Sequence, residues 1–162
     1  MKLILTDLQN PSLSVSGEYK IYKNDTEIHS CTGCFGCWTK TPGKCLIKDA
    51  TNQFAEDLGK CTEFIIISRC LYGTVSPFVK KMQDRGIPHL LPFFLIRNKE
   101  MHHKIRYDNI FTLSAYFYGQ DLSNDEKATA REVIMRNSLN LNARVKEIQF
   151  FTDAKQIEEK SL

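Results

Sequence analysis

Apolar positions along this chain fall into short runs separated by polar turns, and the runs follow two different periods. Lys2 to Leu5 is a brief apolar run that predicts a buried strand almost at the first residue. Glu18 to Lys23 alternates around Tyr19 and Ile21 and predicts a second strand. Between Thr51 and Lys60 the spacing of Phe54, Ala55 and Leu58 gives one apolar face of a helix. Glu63 to Arg69 is different again: Glu-Phe-Ile-Ile-Ile-Ser-Arg is β-branched without alternation, which predicts a central parallel strand covered on both faces. Ser76-Pro77 is a helix start, with Ser at the cap and Pro in the first turn, and that helix is expected to reach Asp84 before Gly86 stops it. Ile110 to Phe117 predicts the next strand, bounded by Gly119. Ser123 followed by Glu126 is a capping-box signature for a helix running to Asn140. Arg144 to Phe151 alternates as a last strand, and the residues after Thr152 are expected to form a polar helix or a disordered end.

Strands alternating with helices after residue 50 define an α/β chain with a mainly parallel sheet, and residues 1–162 are read as one domain. In such sheets ligands sit beyond the carboxyl ends of the strands, near the point where strand order reverses. Two predicted strand-end loops carry unusual residues: Cys70-Leu-Tyr-Gly-Thr-Val-Ser76 and Tyr116-Phe-Tyr-Gly119. Gly73 lets backbone approach a flat ligand and Tyr72 offers a ring to stack on it, and Tyr118-Gly119 repeats the pattern. Together the two loops point to a planar ligand.

Composition narrows the classes. Of 162 residues 42% are apolar and 25% charged, a globular balance that excludes a disordered or fibrous chain. The net charge of +3, from 22 basic and 19 acidic residues, is too weak and too dispersed for a dedicated nucleic-acid binder. No stretch approaches the roughly 20 apolar residues needed to span a bilayer, and the opening Met1-Lys-Leu-Ile-Leu-Thr-Asp7 is not a signal peptide. A cytoplasmic location without membrane association is therefore expected, where thiols stay reduced.

That makes the cysteines informative. Cys31-x2-Cys34-x2-Cys37-x7-Cys45 is the strongest local motif, with Gly33, Gly36 and Gly43 easing the turns that bring thiolates together. Four convergent thiolates suit an iron–sulfur cluster; zinc and reduced structural or redox thiols are the competing readings. Cys61 is expected in the core, while Cys70 opens a candidate ligand loop. Arg97 to Arg106 concentrates Arg97, Lys99, His102, His103, Lys104 and Arg106 around one acid, Glu100. This run is expected to be a solvated surface loop, with a grip on a phosphate-bearing nicotinamide or an acidic partner as the alternative.

Cys-Thr-Gly-Cys-Phe-Gly-Cys-Trp-Thr-Lys-Thr-Pro-Gly-Lys-Cys45, with Phe64-Ile-Ile-Ile-Ser68, Tyr72-Gly-Thr-Val-Ser-Pro77 and Asp84-Arg85, resembles the NADPH-dependent FMN reductase and iron–sulfur flavoprotein group of flavodoxin-like proteins. The resemblance covers roughly residues 31–120. It implies a flavodoxin-like three-layer sandwich with a five-stranded, mainly parallel sheet, bound FMN, NAD(P)H or a redox protein as partner, and a homo-oligomer. It also implies that Cys70, Leu71, Tyr72, Gly73, Thr74 and Ser76 line the isoalloxazine, that Tyr118 and Gly119 belong to a further FMN loop, and that Cys31, Cys34, Cys37 and Cys45 are ligands of a 4Fe–4S cluster. The chain departs from the pattern at its start. Only ten residues, Leu8 to Gly17, separate the first two predicted strands, and a parallel crossover usually takes a dozen or more. The first crossover helix is predicted to be missing, leaving Thr6, Gln9, Asn10 and Ser12 to meet the FMN phosphate. The alternative is a non-enzymatic flavodoxin-like binding or thiol/metal-sensing module that has lost FMN.

Overall fold

The computed structural model describes residues 1–162 apart from Thr26 and Asn98. Its centre is strand β3 (Glu63–Arg69), in which every residue from Glu63 to Ser68 is buried. β1 (Lys2–Thr6) lies parallel on one side, with Ile4 opposite Ile65, and β6 (Thr112–Tyr118) lies parallel on the other, with Ile66 opposite Ala115. β2 (Tyr19–Tyr22) and β7 (Arg144–Phe151) complete a five-stranded parallel sheet in the order β2-β1-β3-β6-β7. Side chains alternate across a pleated strand, so β3 sends Phe64 and Ile66 to one face and Ile65 and Ile67 to the other.

The two faces are covered differently. On the first, α2 (Phe54–Leu58), α3 (Pro77–Arg85) and α4 (Asn124–Leu141) bring Phe54, Leu58, Val79, Met82, Ala130 and Ile134 onto Leu3, Leu5, Leu113 and Phe117. Both long helices start where the sequence places them. Ser76 caps α3, with Pro77 at its first position, and Ser123 and Glu126 close a capping box on α4. On the second face no long helix among the described residues lies over the sheet. Residues 7–18 run from β1 to β2 without a helix and place Leu8, Leu13 and Val15 on Ile4, Ile65 and Ile67.

The C-terminal segment finishes that second layer: of the expected polar helix or disordered end, a short helix is present, but it is not wholly polar. α5 (Lys155–Glu158) buries Ile157 completely, and Leu162 packs beside it. The Leu162 amide donates to the Ser14 carbonyl at 2.9 Å, and its own carbonyl accepts from the Ser16 amide at 3.0 Å. Two apolar side chains and a short parallel bridge thus stand in for the absent crossover helix.

The basic run also needs correcting, because it is not a loop. β4 (Leu90–Arg97) and β5 (Glu100–Ile105) form an antiparallel two-stranded sheet outside the main one. A hairpin of two strands is marginal alone, and this one is tied down by its polar side chains. Arg97 donates to the Leu139 carbonyl of α4 at 2.9 Å, His102 meets Asn140 at 2.9 Å, and Arg106 donates to the Pro88 carbonyl at 2.9 Å. The remaining short helix, α1 (Gly36–Thr39), lies inside the cysteine segment, where Trp38 donates its indole N–H to the Leu90 carbonyl at the base of the hairpin.

Candidate functional site

Strand order places the crevice. β1 leads outward to β2, and the chain then returns across β1 to β3, so order reverses between β1 and β3. A cavity of about 600 Å³ lies beside that point, beyond the carboxyl ends of β3, β6 and β7. Its walls include Arg69, Cys70, Leu71 and Tyr72 after β3, Tyr118 and Gly119 after β6, and Asp153 after β7. The two strand-end loops singled out in the sequence therefore do share one site.

Its most unusual element is the turn at Tyr72-Gly73. Leu71 and Thr74 exchange both backbone hydrogen bonds at 2.9 Å, and the two residues between them have φ of 51° and 75°. Positive φ at both central positions is the signature of a type I′ turn. Gly73 is required by space as well as by dihedral: a Cβ there would lie 2.6 Å from the Thr129 Cβ and 3.0 Å from the Glu126 carbonyl. The turn rests on α4 and holds the Tyr72 ring 91% exposed at the lip of the cavity.

Behind this lip the strand ends are laced by an acid that the sequence reading did not single out. Asp7, the first residue after β1, accepts from the Arg69 amide at 2.9 Å and from the Tyr118 hydroxyl at 3.0 Å. Burial and then the Asp7 carboxylate push the Tyr118 phenol above its ordinary pKa, so it stays a neutral donor. Asp121, Glu126 and Asp153 also line the cavity, against one cation, Arg69. These charges become legible only once topology brings separate strand ends together; for Asp7, its place just past a strand end was the available signal.

The other residues expected at an FMN site are not in this cavity. Thr6 is fully buried and accepts from the Leu8 amide at 3.2 Å. Asn10 lines a shallow surface recess with Asn24, Asp25 and Glu27. The Ser12 amide is taken by the Glu158 carboxylate at 3.0 Å. Thr74 faces an apolar groove between α3 and α4, and Ser76 is a buried helix cap whose amide donates to Ser68 Oγ at 2.8 Å. Cys70 does belong to the cavity wall, but it is buried, and burial pushes its thiol up, which suits packing and not attack.

These positions test the fit of FMN in two parts. A flat ring fits the cavity, with Tyr72 at the lip and Leu71, Tyr118 and Gly119 within. The phosphate finds no built seat after β1: residues 7–18 contain no helix, and the amides of Leu8 and Ser12 already have partners.

The cysteine segment forms a second recess, of about 370 Å³, lined by Cys31, Cys34, Cys37 and Cys45 together with Arg85. Cys31 and Cys34 are exposed, Cys45 is half-buried and Cys37 is buried. The Gly36 amide and then the Thr32 hydroxyl bond the Cys34 sulfur and lower its pKa. Burial and the neighbouring Cys45 raise that of Cys37. Arg85 is buried beneath them, its Nη atoms on both oxygens of Asp49 at 2.6 and 3.0 Å and its Nε without a hydrogen-bond partner among the described residues. The donor set suits a soft metal or cluster. In this arrangement, no three His, Cys, Asp or Glu side chains among the described residues converge on a metal-sized point.

No protein-family model matches the chain, and no curated protein matches it. No helix among the described residues is long and apolar enough to cross a membrane.

Proposed function

We propose that the protein is a flavodoxin-like redox protein, an oxidoreductase or electron carrier, whose strand-end cavity receives the ring of a flavin and whose other partner is NAD(P)H or a redox protein. The observation that carries this reading is a cavity beyond the carboxyl ends of β3, β6 and β7 in a parallel sheet, with an exposed tyrosine fixed at its lip by a type I′ turn. The bound ring would supply the electron chemistry, and the protein would position it and exclude water. Leu71, Gly119 and the Tyr72 ring offer apolar and aromatic surface to a planar ligand, and Tyr118 is held as a neutral phenol beside it. Purified protein should quench flavin fluorescence at micromolar concentrations. Protein that is colourless and leaves the fluorescence unchanged overturns the proposal.

A second reading, a thiol- or metal-responsive module without flavin, is favoured by the four cysteines on one recess. Iron, sulfide and zinc analysis of anaerobically purified protein, beside Cys34→Ser and Cys37→Ser, separates the two. Iron and sulfide that vanish in the variants while flavin stays support a cluster flavoprotein. Bound zinc or a reversible thiol change with no flavin supports the module.

A further inference from the structure

We infer that the strand-end cavity selects a planar ligand that carries no phosphate, so that riboflavin is preferred over FMN. This rests on the flavin reading above and makes it more specific.

Three features converge on it, two in the cavity and one in the connection after β1. The first is charge. Asp121, Glu126 and Asp153 line the cavity, Asp7 stands directly behind Tyr118, and Arg69 is the one cation in the lining. A phosphate monoester would bring a further charge of about −1.5 to −2 into an already acidic site.

The second is the state of the backbone donors. Anion sites in parallel α/β sheets use free amides at the start of a helix. In the connection after β1, the Leu8 amide donates to Thr6 Oγ1, that of Ser12 to the Glu158 carboxylate, and that of Ser16 to the Leu162 carbonyl. Pro11 has no amide hydrogen to offer. A carboxylate of the chain itself thus occupies the loop in which a phosphate would be sought.

The third is the helix that begins nearest the cavity. α4 starts beside Leu122 in the cavity wall, and its N-terminus could in principle replace the missing one. Glu126 sets a carboxylate on it: the acid accepts from the Ser123 amide at 3.0 Å and the Ser123 hydroxyl at 2.9 Å. The Ser123 hydroxyl in turn accepts from the Glu126 amide at 3.2 Å. The uncharged polar lining, Gln120 and Thr152, suits the hydroxyls of a ribityl chain.

The test compares riboflavin and FMN by fluorescence quenching and calorimetry with the full chain. Riboflavin should bind on the order of tenfold tighter or more at low salt, with the gap shrinking as salt screens the acids. The double variant Asp121→Asn, Asp153→Asn should shift the ratio of affinities toward FMN. Asn at 121 suits the backbone there, where φ is 58°. FMN binding as tightly as riboflavin, or tighter, overturns the selectivity and leaves the flavin reading standing. Loss of that FMN binding in Arg69→Gln would then identify the arginine as the phosphate seat. No quenching by either compound overturns both.

Discussion

Arg85 and Asp49 form a two-point ion pair in which the arginine side chain is fully shielded from solvent and the aspartate nearly so. The same guanidinium donates to the carbonyls of His29 and Ile47 at 2.9 and 3.1 Å. It therefore fastens both ends of the cysteine segment to the last turn of α3. Burial alone would raise the Asp49 carboxyl, but Arg85, Thr51 and the His29 amide outweigh it and hold the acid below the ordinary carboxylate range.

Asp49→Asn should therefore be costly, since removing one partner strands a buried charge and typically loses about 3–5 kcal/mol. The contribution of the Asp49 carboxylate is complete above the ordinary value of 3.8 and is lost as pH falls below that value, because the unfolded chain takes up the proton first. Urea denaturation at pH 7 measures the first effect and an acid titration the second. An unchanged urea midpoint for Asp49→Asn would count against the clamp.

His89 supplies a separate and higher pH window. It is buried against the rings of Tyr107 and Phe111, with Nδ1 unpartnered among the described residues. Burial, with Arg106 adding to it, lowers its pKa from 6.5 to about 4. Stability should be complete above pH 6.5 and decline as pH falls to about 4, where the unfolded chain holds a proton the folded one refuses. Over that window the loss amounts to about 3 kcal/mol. His89→Gln removes the titration, so its stability curve between pH 7 and 5 should be flatter than that of the unchanged protein. Parallel curves would refute this origin.

What the sequence disclosed follows from how local each signal is. β3 and β7 occupy the ranges that their apolar patterns predict, and the Ser76 and Ser123 caps operate as predicted, because a buried run or a cap is written in neighbouring residues. The helix expected from Thr51 to Lys60 shortens to Phe54–Leu58, since the Thr51 amide and hydroxyl turn back to Asp49. The β4–β5 hairpin was only partly hidden: the charges sit on Arg97 and β5, β4 from Leu90 to Ile96 is apolar apart from Pro92, and the anchors for Arg97 and His102, Leu139 and Asn140, lie far along the chain on α4. Tail docking likewise depends on Ile157 reaching the cluster of Ile4, Ile65 and Ile67 and on Leu162 pairing with Ser14 and Ser16. At the candidate site, the aromatic–glycine pairs were legible as strand ends, whereas the acids around them had no local pattern.

The turn at the cavity lip should separate stability from binding. Tyr72 holds a φ of 51°, which asparagine tolerates better than an aromatic. Tyr72→Asn should thus leave stability within about 0.5 kcal/mol of the original or raise it, while weakening flavin binding about tenfold. Gly73→Ala should cost about 1–3 kcal/mol, because the new Cβ meets Thr129 at 2.6 Å on a backbone with φ of 75°. Thermal unfolding and flavin titration read both. A Gly73→Ala protein as stable as the original would contradict the close packing on α4.

Exposure and local bonding order four of the cysteines, Cys34, Cys37, Cys61 and Cys70, by reactivity. Cys34 is exposed, and the Gly36 amide and Thr32 hydroxyl favour its thiolate. Cys61 is buried, and burial pushes its thiol up to about 12. The thiolate is the attacking species, so pulsed iodoacetamide on metal-free, reduced protein at pH 7 should label Cys34 first, and Cys61 and Cys70 only on unfolding. Cys37 should be slow in the intact protein and fast in Asp49→Asn, because the Arg85 clamp keeps the segment closed over it. Mass spectrometry of the labelled peptides reads the order directly. Cys37 labelling as early as Cys34 in the intact protein would mean that the segment opens without breaking that pair.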